Sequence, residues 1–485
     1  MSKPLLCVTV TAPTMAELRR QRDAVAGADM VELRLDGVAD PDVAGALSGR
    51  RLPVIVTCRP TWEGGRFDGA EEQRHRILGE ALALGAEYVD IEHRAGFDTL
   101  VTQDGGRRTI LSYHDFDGVP VDLPGLAHAM QSTGAAVVKI AVKAASLADC
   151  VALLDVKARL DGGAGCVLIA MGEFGFATRV LAGRFGSLWT YAGAEQHVGQ
   201  ISATTLLHEY RFRAIDDATD VYGLVGLPVS HSVSPAMHNG AFAAMGMNAV
   251  YLPLPAVSAD DVMVFGRALG VKGLSITIPH KVTLFDRVDA VSDVARRIGA
   301  INTIRVRDGR WVGDNTDIAG LLAPLAERVS LPGLRASVLG SGGAARAAVV
   351  GLSERGCRVW VHARSRTQAE AVAALTSAGV GPYPPERGSW DLLVNCTPLG
   401  MYPRADETPV PADDLTGQCV YDLVYNPAET RLLRDAARAG CQTIGGLDML
   451  VAQAREQFFW WTGVRPPTDV MRDAARTRLA EFQGR

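Results

Sequence analysis

Two lysines occupy sequence contexts in which an unreactive lysine is rarely found. Lys139 interrupts the apolar strand pattern Ala-Ala-Val-Val-Lys-Ile-Ala-Val (135–142), and Lys281 ends the segment Gly-Leu-Ser-Ile-Thr-Ile-Pro-His-Lys (273–281). A buried lysine is destabilising unless it is paired, deprotonated or reacting. Because the two lysines lie in different halves of the chain and have different polar neighbours, the sequence predicts two catalytic sites.

The residues near Lys139 suit chemistry on a carbonyl group. A neutral amine attacks a ketone to form a Schiff base. His114 ends a predicted strand two away from that of Lys139 and can carry protons near neutral pH. Asp90 and Glu92, on the strand between, are expected to orient the histidine or to stabilise its protonated form. A lone strand lysine or histidine is more often structural, but the combination indicates an imine-forming site.

Three arginines in the same half of the chain indicate the substrate class. Arg34, Arg59 and Arg179 are expected to find too few structural partners for all three. Together with Glu32 and Glu63 they suit a carboxylated, hydroxyl-rich substrate, because guanidinium groups bind carboxylates in a bidentate manner. Any one of these arginines taken alone would be interpreted as a member of an ordinary surface ion pair.

A second polar set surrounds Lys281. Ser232 and Ser234, followed by a proline, fit either a helix N-cap or a carboxylate site at a helix start, and the spacing leaves both interpretations open. Asn302 and Asp317 lie in segments that would be turns if taken alone. With Thr277 and Lys281 they form a set of the kind that holds a polyol.

A dinucleotide site is predicted further along the chain. A strand is followed by Gly340-x-Gly342-x-x-Ala345 and then a helix, so that backbone and helix N-terminus can approach a pyrophosphate. The next strand ends in Ala-Arg-Ser-Arg, with Arg364 and Arg366 where an NAD site usually has a carboxylate. Arginines suit a 2′-phosphate, so the sequence favours NADP over NAD, with a solvated basic loop as the alternative.

The elements that must position the first site alternate strands and helices over residues 1–215. Eight short strand patterns are separated by helical stretches such as 71–85 and 146–160. They predict a compact (β/α)8 barrel with its active site at the carboxyl ends of the strands. The predicted strands are 5–10, 29–34, 53–58, 87–92, 108–113, 136–141, 166–171 and 187–190. Polar or unusual residues lie at the predicted strand ends: Glu32, Arg34, Arg59, Glu92, His114, Lys139 and Met171.

The remainder of the chain is predicted to form two further domains. After a charged link at 211–220, residues 221–330 read as an α/β substrate-binding domain and 331–447 as a Rossmann domain. A helical stretch at 448–480 is expected to complete the substrate-binding domain.

Composition excludes several classes of protein. The 485 residues are 48% hydrophobic and 21% charged, which is typical of globular proteins. A net charge of -5 without a basic run argues against nucleic-acid binding, and no apolar run is long enough to span a membrane. The beginning of the chain resembles a strand more than a signal peptide. Eight scattered cysteines without a Cys-x-x-Cys pair suggest a reduced, cytoplasmic protein with no metal site.

Over roughly residues 4–215 the chain resembles type I 3-dehydroquinate dehydratase. The matching segments are Val31-Glu-Leu-Arg-Leu-Asp, Thr57-Cys-Arg-Pro-Thr-Trp-Glu-Gly-Gly, Ser112-Tyr-His-Asp-Phe, Val138-Lys-Ile-Ala, Met171 through Arg179 and Gly199-Gln-Ile-Ser. The resemblance implies that Lys139 forms an imine with the substrate ketone, and that His114 takes the adjacent proton and helps the hydroxyl leave. Gln196 stands where the family has a serine in its lid. Substrate contacts are implied for Thr9, Glu32, Arg34, Arg59, Glu63, Arg179, Gln196 and Gln200.

Over about 221–480 the chain resembles shikimate dehydrogenase. The matches include Asn395-Cys-Thr-Pro-Leu-Gly-Met, Tyr421-Asp-Leu-Val-Tyr-Asn-Pro and Gly446-Leu-Asp-Met-Leu-Val-Ala-Gln. The resemblance makes Lys281 and Asp317 the catalytic pair, and Ser275 stands where many members have asparagine. Substrate contacts are implied for Ser232, Ser234, Thr277, Asn302, Tyr425 and Gln453. Cofactor contacts are expected at Gly340, Ser341, Gly342, Gly343, Ala344, Ala363, Arg364, Ser365, Thr397, Leu423 and Gly446.

The two resemblances imply consecutive reactions, as in the plant-type bifunctional enzymes. 3-Dehydroquinate would be dehydrated to 3-dehydroshikimate, and NADPH would reduce this product to shikimate. Three alternatives remain: a quinate-preferring dehydrogenase in the second half, a non-catalytic sensor of quinate-like ligands, and a Schiff-base aldolase in the barrel. The oligomeric state is not predicted.

Overall fold

The computed structural model describes residues 3–160, 164–195 and 198–483. The chain divides into two compact units. One contains the residues up to Asp220 together with Leu252–Gly270, and the other contains Val221–Tyr251 and the residues from Val271 onward. This division does not test the limits of the three predicted domains, which stay predictions.

Eight parallel strands form the barrel of the first unit, in the order β7-β6-β5-β4-β3-β2-β1-β8. A parallel bridge between Cys166 and Ser187 joins the two ends of the sheet, and the Leu188 amide donates to the Cys166 carbonyl at 2.8 Å. The predicted barrel is confirmed, with every strand within two residues of its expected limits. The strands are β1 (Leu5–Thr11), β2 (Met30–Arg34), β3 (Val54–Thr57), β4 (Tyr88–Glu92), β5 (Thr109–Asp115), β6 (Val137–Lys143), β7 (Gly165–Met171) and β8 (Trp189–Ala192).

Helices follow these strands, and several of them begin at a side-chain cap. At the start of the helix Leu147–Arg159, for example, Ser146 and Asp149 form a capping box. A short 3-10 helix, Thr61–Glu63, follows β3 and brings Glu63 back towards the barrel. The α-helices of this unit are α1 (Met15–Ala24), α2 (Val43–Leu47), α3 (Glu71–Ala83), α4 (Asp98–Val101), α5 (Leu123–Gln131), α6 (Leu147–Arg159), α7 (Phe176–Val180) and α9 (Ala259–Leu269).

A mixed six-stranded sheet follows, in the order β10-β9-β11-β13-β14-β12. Strand β11 is parallel to β9 and antiparallel to β13, so the turns after β11 and before β13 meet at one end of the sheet. The strands are β9 (Asp220–Gly226), β10 (Ala249–Pro255), β11 (Gly273–Ile276), β12 (Ala290–Val291), β13 (Thr303–Arg307) and β14 (Arg310–Asp314). The accompanying helices are α8 (Ser234–Ala244), α10 (His280–Thr283), α11 (Asp293–Ile298) and α12 (Asp317–Ala326).

The third sheet is entirely parallel and has the order β17-β16-β15-β18-β19-β20. This is the doubly wound order of a dinucleotide-binding domain, with its ligand crevice at the switch between β15 and β18. The strands are β15 (Arg335–Leu339), β16 (Arg358–His362), β17 (Gly379–Val380), β18 (Leu392–Asn395), β19 (Cys419–Asp422) and β20 (Gln442–Ile444). The helices are α13 (Gly343–Glu354), α14 (Arg366–Ala373) and α15 (Arg431–Arg438).

The C-terminal stretch forms two helices, α16 (Gly446–Thr462) and α17 (Thr468–Gln483). Gly463, in the left-handed region, ends α16, and two prolines before α17 prevent one continuous helix. Phe458 and Trp461 of α16 and Met471 of α17 share a buried apolar cluster with Phe242 of α8 and Tyr251 of β10. The two helices therefore pack on the mixed sheet.

Two further properties of the described part of the chain bear on its function. None of the described helices is both long and apolar enough to cross a membrane. All eight cysteines lie in the described part, where they are unpaired, and seven of them are buried.

Candidate active sites

Lys139 lies in the middle of β6, with 4% of its surface exposed. Its Nζ atom is 2.8 Å from Asp90 Oδ2 and 3.4 Å from Glu32 Oε1. The ring of Tyr191, on β8, has its centre 4.5 Å from the same nitrogen. The lysine is therefore enclosed by two carboxylates and an aromatic face.

The two carboxylates beside Lys139 are both held in the charged form. Burial would raise the pKa of Glu32, but the charges of Lys139 and Arg34 outweigh burial and lower it. Burial opposes ionisation of Asp90 too, and Arg59 and Lys139 together lower the pKa of Asp90 below its usual range. Hydroxyl groups of Thr9, at 3.0 Å, and Thr57, at 2.9 Å, donate to Glu32 and fix its orientation.

His114 lies on β5, which pairs directly with β6, so the expected order with another strand between them is wrong. Its Nδ1 atom is 2.7 Å from Arg59 Nη1 and 3.1 Å from Glu63 Oε1. Glu63 also accepts a hydrogen bond from the His114 amide at 2.9 Å. Burial, reinforced by the charges of Arg59 and Lys139, holds the pKa of His114 well below 6.5. The imidazole is therefore neutral and available as a base.

The carboxylate that orients His114 is Glu63, a residue that the sequence analysis assigned to the substrate. Its side chain is buried, and Arg94 donates to its second oxygen at 3.1 Å. Asp90 raises the pKa of His114 through its charge, as expected, but its hydrogen bonds go to other groups. Glu92 is paired with Arg74 and Arg59.

Arg34 and Arg59 have structural partners, so the expectation that the three arginines cannot all find partners depends on Arg179. Arg34 donates two hydrogen bonds of 2.8 Å to Asp36. Arg59 is completely buried and lies 3.1 Å from Asp90 and 3.4 Å from Glu92. Burial would lower the pKa of Arg59, but the surrounding carboxylates outweigh burial and raise it.

Arg179 differs from the other two arginines. Only 2% of its surface is exposed, and its Nη2 atom donates to the Val198 carbonyl at 2.5 Å. Its buried Nε atom has no hydrogen-bond partner, and no carboxylate within the described ranges forms an ion pair with it. Burial lowers the pKa of Arg179 to about 10, against the weaker effect of Glu195. A buried guanidinium without an anion is a prepared site for one.

Gln200 lies after β8, two residues beyond the Val198 that accepts from Arg179, and its Oε1 atom accepts from the Glu195 amide at 3.3 Å. Gln196, the other residue predicted in this segment, lies outside the described residues. Two unpredicted residues also lie beside Lys139: Tyr191, and Ser112, which faces the lysine in the β5–β6 register. Strand alternation is the signal that could have found them, because it places both on the same barrel interior as the lysine.

In the second unit, Lys281 lies just after the turn that follows β11, with its Nζ atom 2.5 Å from Asp317 Oδ2. Asp317 is in the first turn of α12, where the helix dipole favours a carboxylate. Its other oxygen accepts from Asn302 at 2.7 Å, and its amide donates to Asn315 at 2.9 Å. The predicted pair is thus brought together and held from both sides.

Asn302 connects this pair to the helix α16. Its Oδ1 atom accepts from the Thr316 amide at 2.8 Å, and its Nδ2 atom lies 3.4 Å from Gln453 Oε1. Thr277 is half-buried in the turn that leads to Lys281. The structure therefore gathers Lys281, Asp317, Asn302 and Gln453 into one hydrogen-bonded set.

The predicted serines form a second set, with Tyr425. Ser232 accepts a hydrogen bond from the Ser234 amide at 3.1 Å. Burial raises the pKa of Tyr425, and a hydrogen bond with Ser232 opposes this increase. The N-cap residue of α8 is Val233 and no side chain caps this helix, so the capping interpretation of the serines is wrong. The Ser232 hydroxyl instead contacts Tyr425, another residue of the predicted site.

Ser275 does not offer a free hydroxyl to a substrate. The Tyr251 hydroxyl donates to its Oγ atom at 2.7 Å, and Ser275 donates to Gln457 Oε1 at 2.7 Å. Gln457 in turn donates to the Asn302 carbonyl at 3.0 Å. At this departure from the family, the serine thus supports Asn302, the residue beside the predicted catalytic pair.

The turn after β15 has the geometry of a phosphate site. Gly340 has a φ of 110°, which requires glycine, and Gly342 begins α13 without a side-chain cap. A side chain at Gly342 would meet no atom within 4 Å, so the approach to the helix start is open. The free amides of this first turn and the helix dipole favour an anion. The remaining predicted cofactor residues lie at the ends of neighbouring strands or helices: Ser341, Gly343, Ala344, Ala363, Ser365, Thr397, Leu423 and Gly446.

The two arginines after β16 have different environments. Arg366 forms an ion pair of 3.0 Å with Glu370 on α14. Arg364 is exposed, and no ion pair joins it to any described carboxylate. Its charge acts on Tyr383, where it opposes the increase in pKa caused by burial. Arg364 is thus the better placed of the two for a 2′-phosphate.

Comparison with known proteins identifies the family of both halves of the chain. Residues 6–217 match the family model of type I 3-dehydroquinase, 224–304 that of the shikimate dehydrogenase substrate binding domain, and 446–476 that of the shikimate 5′-dehydrogenase C-terminal domain. A chloroplastic bifunctional 3-dehydroquinate dehydratase/shikimate dehydrogenase of Arabidopsis thaliana is 35% identical over 508 residues, which cover 96% of this chain and 83% of that protein.

The second unit has relatives of its own. The NADP(+) shikimate dehydrogenase of Moorella thermoacetica is 43% identical over 284 residues, covering 55% of this chain and 96% of that protein. The shikimate dehydrogenase of Thermus thermophilus, solved with NADP(H) and shikimate, has a TM-score of 0.50 and 36% identity, covering 54% of this chain and all of that chain. The chain therefore belongs to the family of bifunctional 3-dehydroquinate dehydratase/shikimate dehydrogenases, and it combines a type I dehydroquinase barrel with an NADP-dependent shikimate dehydrogenase unit.

Proposed function

We propose that Lys139 and His114 dehydrate 3-dehydroquinate through an imine. The observation that supports this most strongly is the buried Lys139 amine between Asp90 and Glu32, on the strand next to the neutral His114. An amine must be neutral to attack a carbonyl, and because both carboxylates are held in the charged form, the imidazole on the neighbouring strand is the group proposed to take its proton. Attack on the ketone and loss of water give the imine.

His114 then acts twice. Its role as a base requires the tautomer in which Nδ1–H donates to Glu63 and Arg59 donates to other acceptors, because Nε2 is then free to take the proton from the carbon next to the imine. The imidazolium returns this proton to the hydroxyl that leaves as water, and hydrolysis of the imine releases 3-dehydroshikimate. Arg179 is proposed to bind the substrate carboxylate, and Gln200 and Gln196 to lie beside it. The pocket is proposed to be lined by Thr9, Glu32, Arg34 and Arg59, of which the last three supply its charges.

In the second unit we propose that Lys281 and Asp317 govern the proton at the reacting oxygen. Bound NADPH supplies the hydride that reduces the ketone carbon. The Lys281 ammonium donates a proton to the oxygen as its charge develops, and Asp317 holds the ammonium in position. Asn302, Gln453 and Thr277 are proposed to bind the ring hydroxyls of the substrate. Ser232, Ser234 and Tyr425 are proposed to bind its carboxylate.

The chain also fits the predicted cofactor. The uncapped start of α13 and the glycine turn would hold the pyrophosphate, and Arg364 would bind the 2′-phosphate. Ser341 through Ala344, Ala363, Ser365, Thr397, Leu423 and Gly446 would surround the rest of the dinucleotide. A cytoplasmic location stays a prediction, and one similar protein is described as chloroplastic.

A coupled assay tests both sites. Purified protein is mixed with 3-dehydroquinate and NADPH, and the absorbance of reduced nicotinamide is followed. Oxidation of NADPH is expected in the parent and should disappear in Lys139→Ala and in Lys281→Ala. When 3-dehydroshikimate is supplied directly, Lys139→Ala should oxidise NADPH at the parent rate. Lys281→Ala should remain unable to oxidise NADPH with this substrate.

Two controls separate the alternatives. Lys143→Ala is the matched control for Lys139→Ala, because Lys143 ends the same strand but is exposed. Its rates should equal those of the parent. Turnover of quinate with NAD that exceeds turnover of shikimate with NADP would favour the quinate dehydrogenase. Ligand binding by folded protein without any turnover would favour the sensor.

A further inference from the structure

The segment after β17 lies beside the arginine that is proposed to bind the 2′-phosphate. Strands β16 and β17 are parallel, with Val361 opposite Val380. The pairing extends beyond β17, because the Gly381 amide donates to the Val361 carbonyl at 3.0 Å. Continued along both chains, this register places Tyr383 opposite Arg364.

A buried histidine at the end of β16 holds this segment in place. His362 donates from Nδ1 to the Pro382 carbonyl at 2.6 Å. Its own carbonyl accepts from the Gly340 amide of the glycine turn at 2.8 Å. A Cβ at Gly381 would lie 2.3 Å from His362 Cε1, so the absence of a side chain there lets the chain pass over the imidazole. The end of β16 therefore fixes both the glycine turn and residues 381–384.

The Tyr383 hydroxyl is an available donor on a stiff segment. Tyr383 stands between Pro382 and Pro384, whose rings fix φ, so little conformational freedom remains to be lost on binding. The side chain is half-buried, and within the described ranges its hydroxyl has no hydrogen-bond partner. Burial raises the pKa of Tyr383, against the effect of the Arg364 charge. The hydroxyl is therefore protonated at neutral pH and can donate a hydrogen bond.

A 2′-phosphate can accept more hydrogen bonds than Arg364 alone supplies. A phosphate monoester carries a charge of about −1.5 to −2 at pH 7 and has three acceptor oxygens. Arg366 is paired with Glu370 at 3.0 Å, and the Ser365 hydroxyl accepts from the Gln368 amide at 3.4 Å. The segment after β16 thus leaves room for a donor from the neighbouring strand.

We propose that Tyr383 binds the 2′-phosphate of NADP together with Arg364, by donating its hydroxyl hydrogen to a phosphate oxygen. This inference rests on the proposed role of Arg364 and extends it by a specificity-determining residue. NAD lacks the 2′-phosphate and gains nothing from this hydroxyl, so Tyr383 contributes to the preference for NADP. His362 is its positioning residue, because it holds the segment on which Tyr383 lies.

The test measures the Kd of adenosine 2′,5′-bisphosphate by titration calorimetry, and the KM of NADPH and NADH with 3-dehydroshikimate. Tyr383→Phe removes one oxygen and keeps the ring. Its Kd for the bisphosphate and its KM for NADPH should each rise by roughly 5- to 30-fold, because a hydrogen bond to a charged group is lost at a half-buried position. KM for NADH and kcat should equal those of the parent.

A double variant shows whether the two side chains bind the same group. In protein that already carries Arg364→Ala, adding Tyr383→Phe should raise the Kd by a smaller factor than it does in the parent, since contacts to one phosphate are coupled. Tyr402→Phe is the matched control. Tyr402 also precedes a proline, but it follows β18 and is 69% exposed, and its Kd and KM values should match the parent.

Three results would overturn the proposal. They are a parent-like Kd for the bisphosphate in Tyr383→Phe, equal increases in KM for NADPH and NADH, and an undiminished effect of Tyr383→Phe when Arg364 is absent. The second result would show that Tyr383 supports the segment or binds another part of the dinucleotide. A parent-like Kd in Arg364→Ala would instead refute the proposed role of Arg364.

Discussion

Replacing Arg179 by methionine should weaken substrate binding and stabilise the barrel at the same time. The guanidinium is buried, makes one described hydrogen bond, and has an orphaned Nε atom. Burial lowers its pKa from 12.5 to about 10, which corresponds to about 3 kcal/mol against the charged form. Because methionine has similar length and no charge, Arg179→Met removes this cost.

The magnitude follows from two opposing contributions. Loss of the hydrogen bond to the Val198 carbonyl costs about 1 kcal/mol, which leaves a net gain of about 2 kcal/mol. For a unit of this size, that gain raises the midpoint of thermal unfolding by roughly 4–8 °C. Loss of a charge-assisted contact of about 1.5–3 kcal/mol should raise KM for 3-dehydroquinate by roughly 10- to 150-fold.

The direction in which stability changes with pH follows from the lowered pKa of Arg179. A base whose folded pKa is lowered binds fewer protons in the folded state than in the unfolded state between about pH 10 and 12.5. Stability therefore rises with pH only in that alkaline window, and the full cost is present at every lower pH. The gain in Arg179→Met should accordingly be the same at pH 6 and at pH 8.

The assay combines thermal loss of dehydratase activity with initial rates at varied 3-dehydroquinate. Arg22→Met is the matched control, because Arg22 is also buried but donates to the Ala46 carbonyl and pairs with Asp23 at 2.8 Å. It should be less stable than the parent, with unchanged KM. An Arg179→Met protein that is less stable and binds substrate normally would refute the reasoning, since the guanidinium would then be a structural group.

Three further variants test the other proposed roles. Arg364→Ala should raise KM for NADPH by roughly 10- to 150-fold and leave KM for NADH unchanged. Arg366→Ala should change neither KM value, because Arg366 is paired with Glu370. Equal effects of the two substitutions would contradict the assignment of Arg364 to the 2′-phosphate. Asp317→Asn should lower dehydrogenase kcat by about 10²- to 10⁴-fold and leave the dehydratase rate intact, measured with each substrate separately. Glu63→Gln should lower dehydratase kcat by roughly 10- to 150-fold, because a neutral amide stabilises the His114 imidazolium less; a parent-like kcat would show that another group orients the base.

The fold was predictable because its signals are local. Strand patterns separated by amphipathic helices repeat eight times before the charged link, and a glycine turn between a strand and a helix introduces the last sheet. Lys139 and Lys281 were identifiable for the same reason, since each is a charged residue in an apolar segment. These features require no knowledge of which elements meet in space.

The partners within the sites were harder to predict because they depend on three-dimensional contacts. Glu63 reaches His114 only because a single 3-10 turn after β3 returns it to the end of β5. Arg74 lies on a helix with many charged residues and reads as a surface residue, although its side chain points inward to Glu92. Neither contact follows from spacing along the chain.

The burial of the two lysines explains why one residue type serves two kinds of chemistry. In its proposed role the nucleophilic amine must give up its proton inside the site, and Lys139, with 5% of its side chain exposed, has the neutral His114 on the neighbouring strand to receive it. A lysine that donates a proton in every turnover must be recharged from solvent. Lys281 is paired with Asp317 and has 19% of its side chain exposed to solvent, as its proposed role requires. Burial thus separates the two roles, and no sequence pattern around either lysine contains that information.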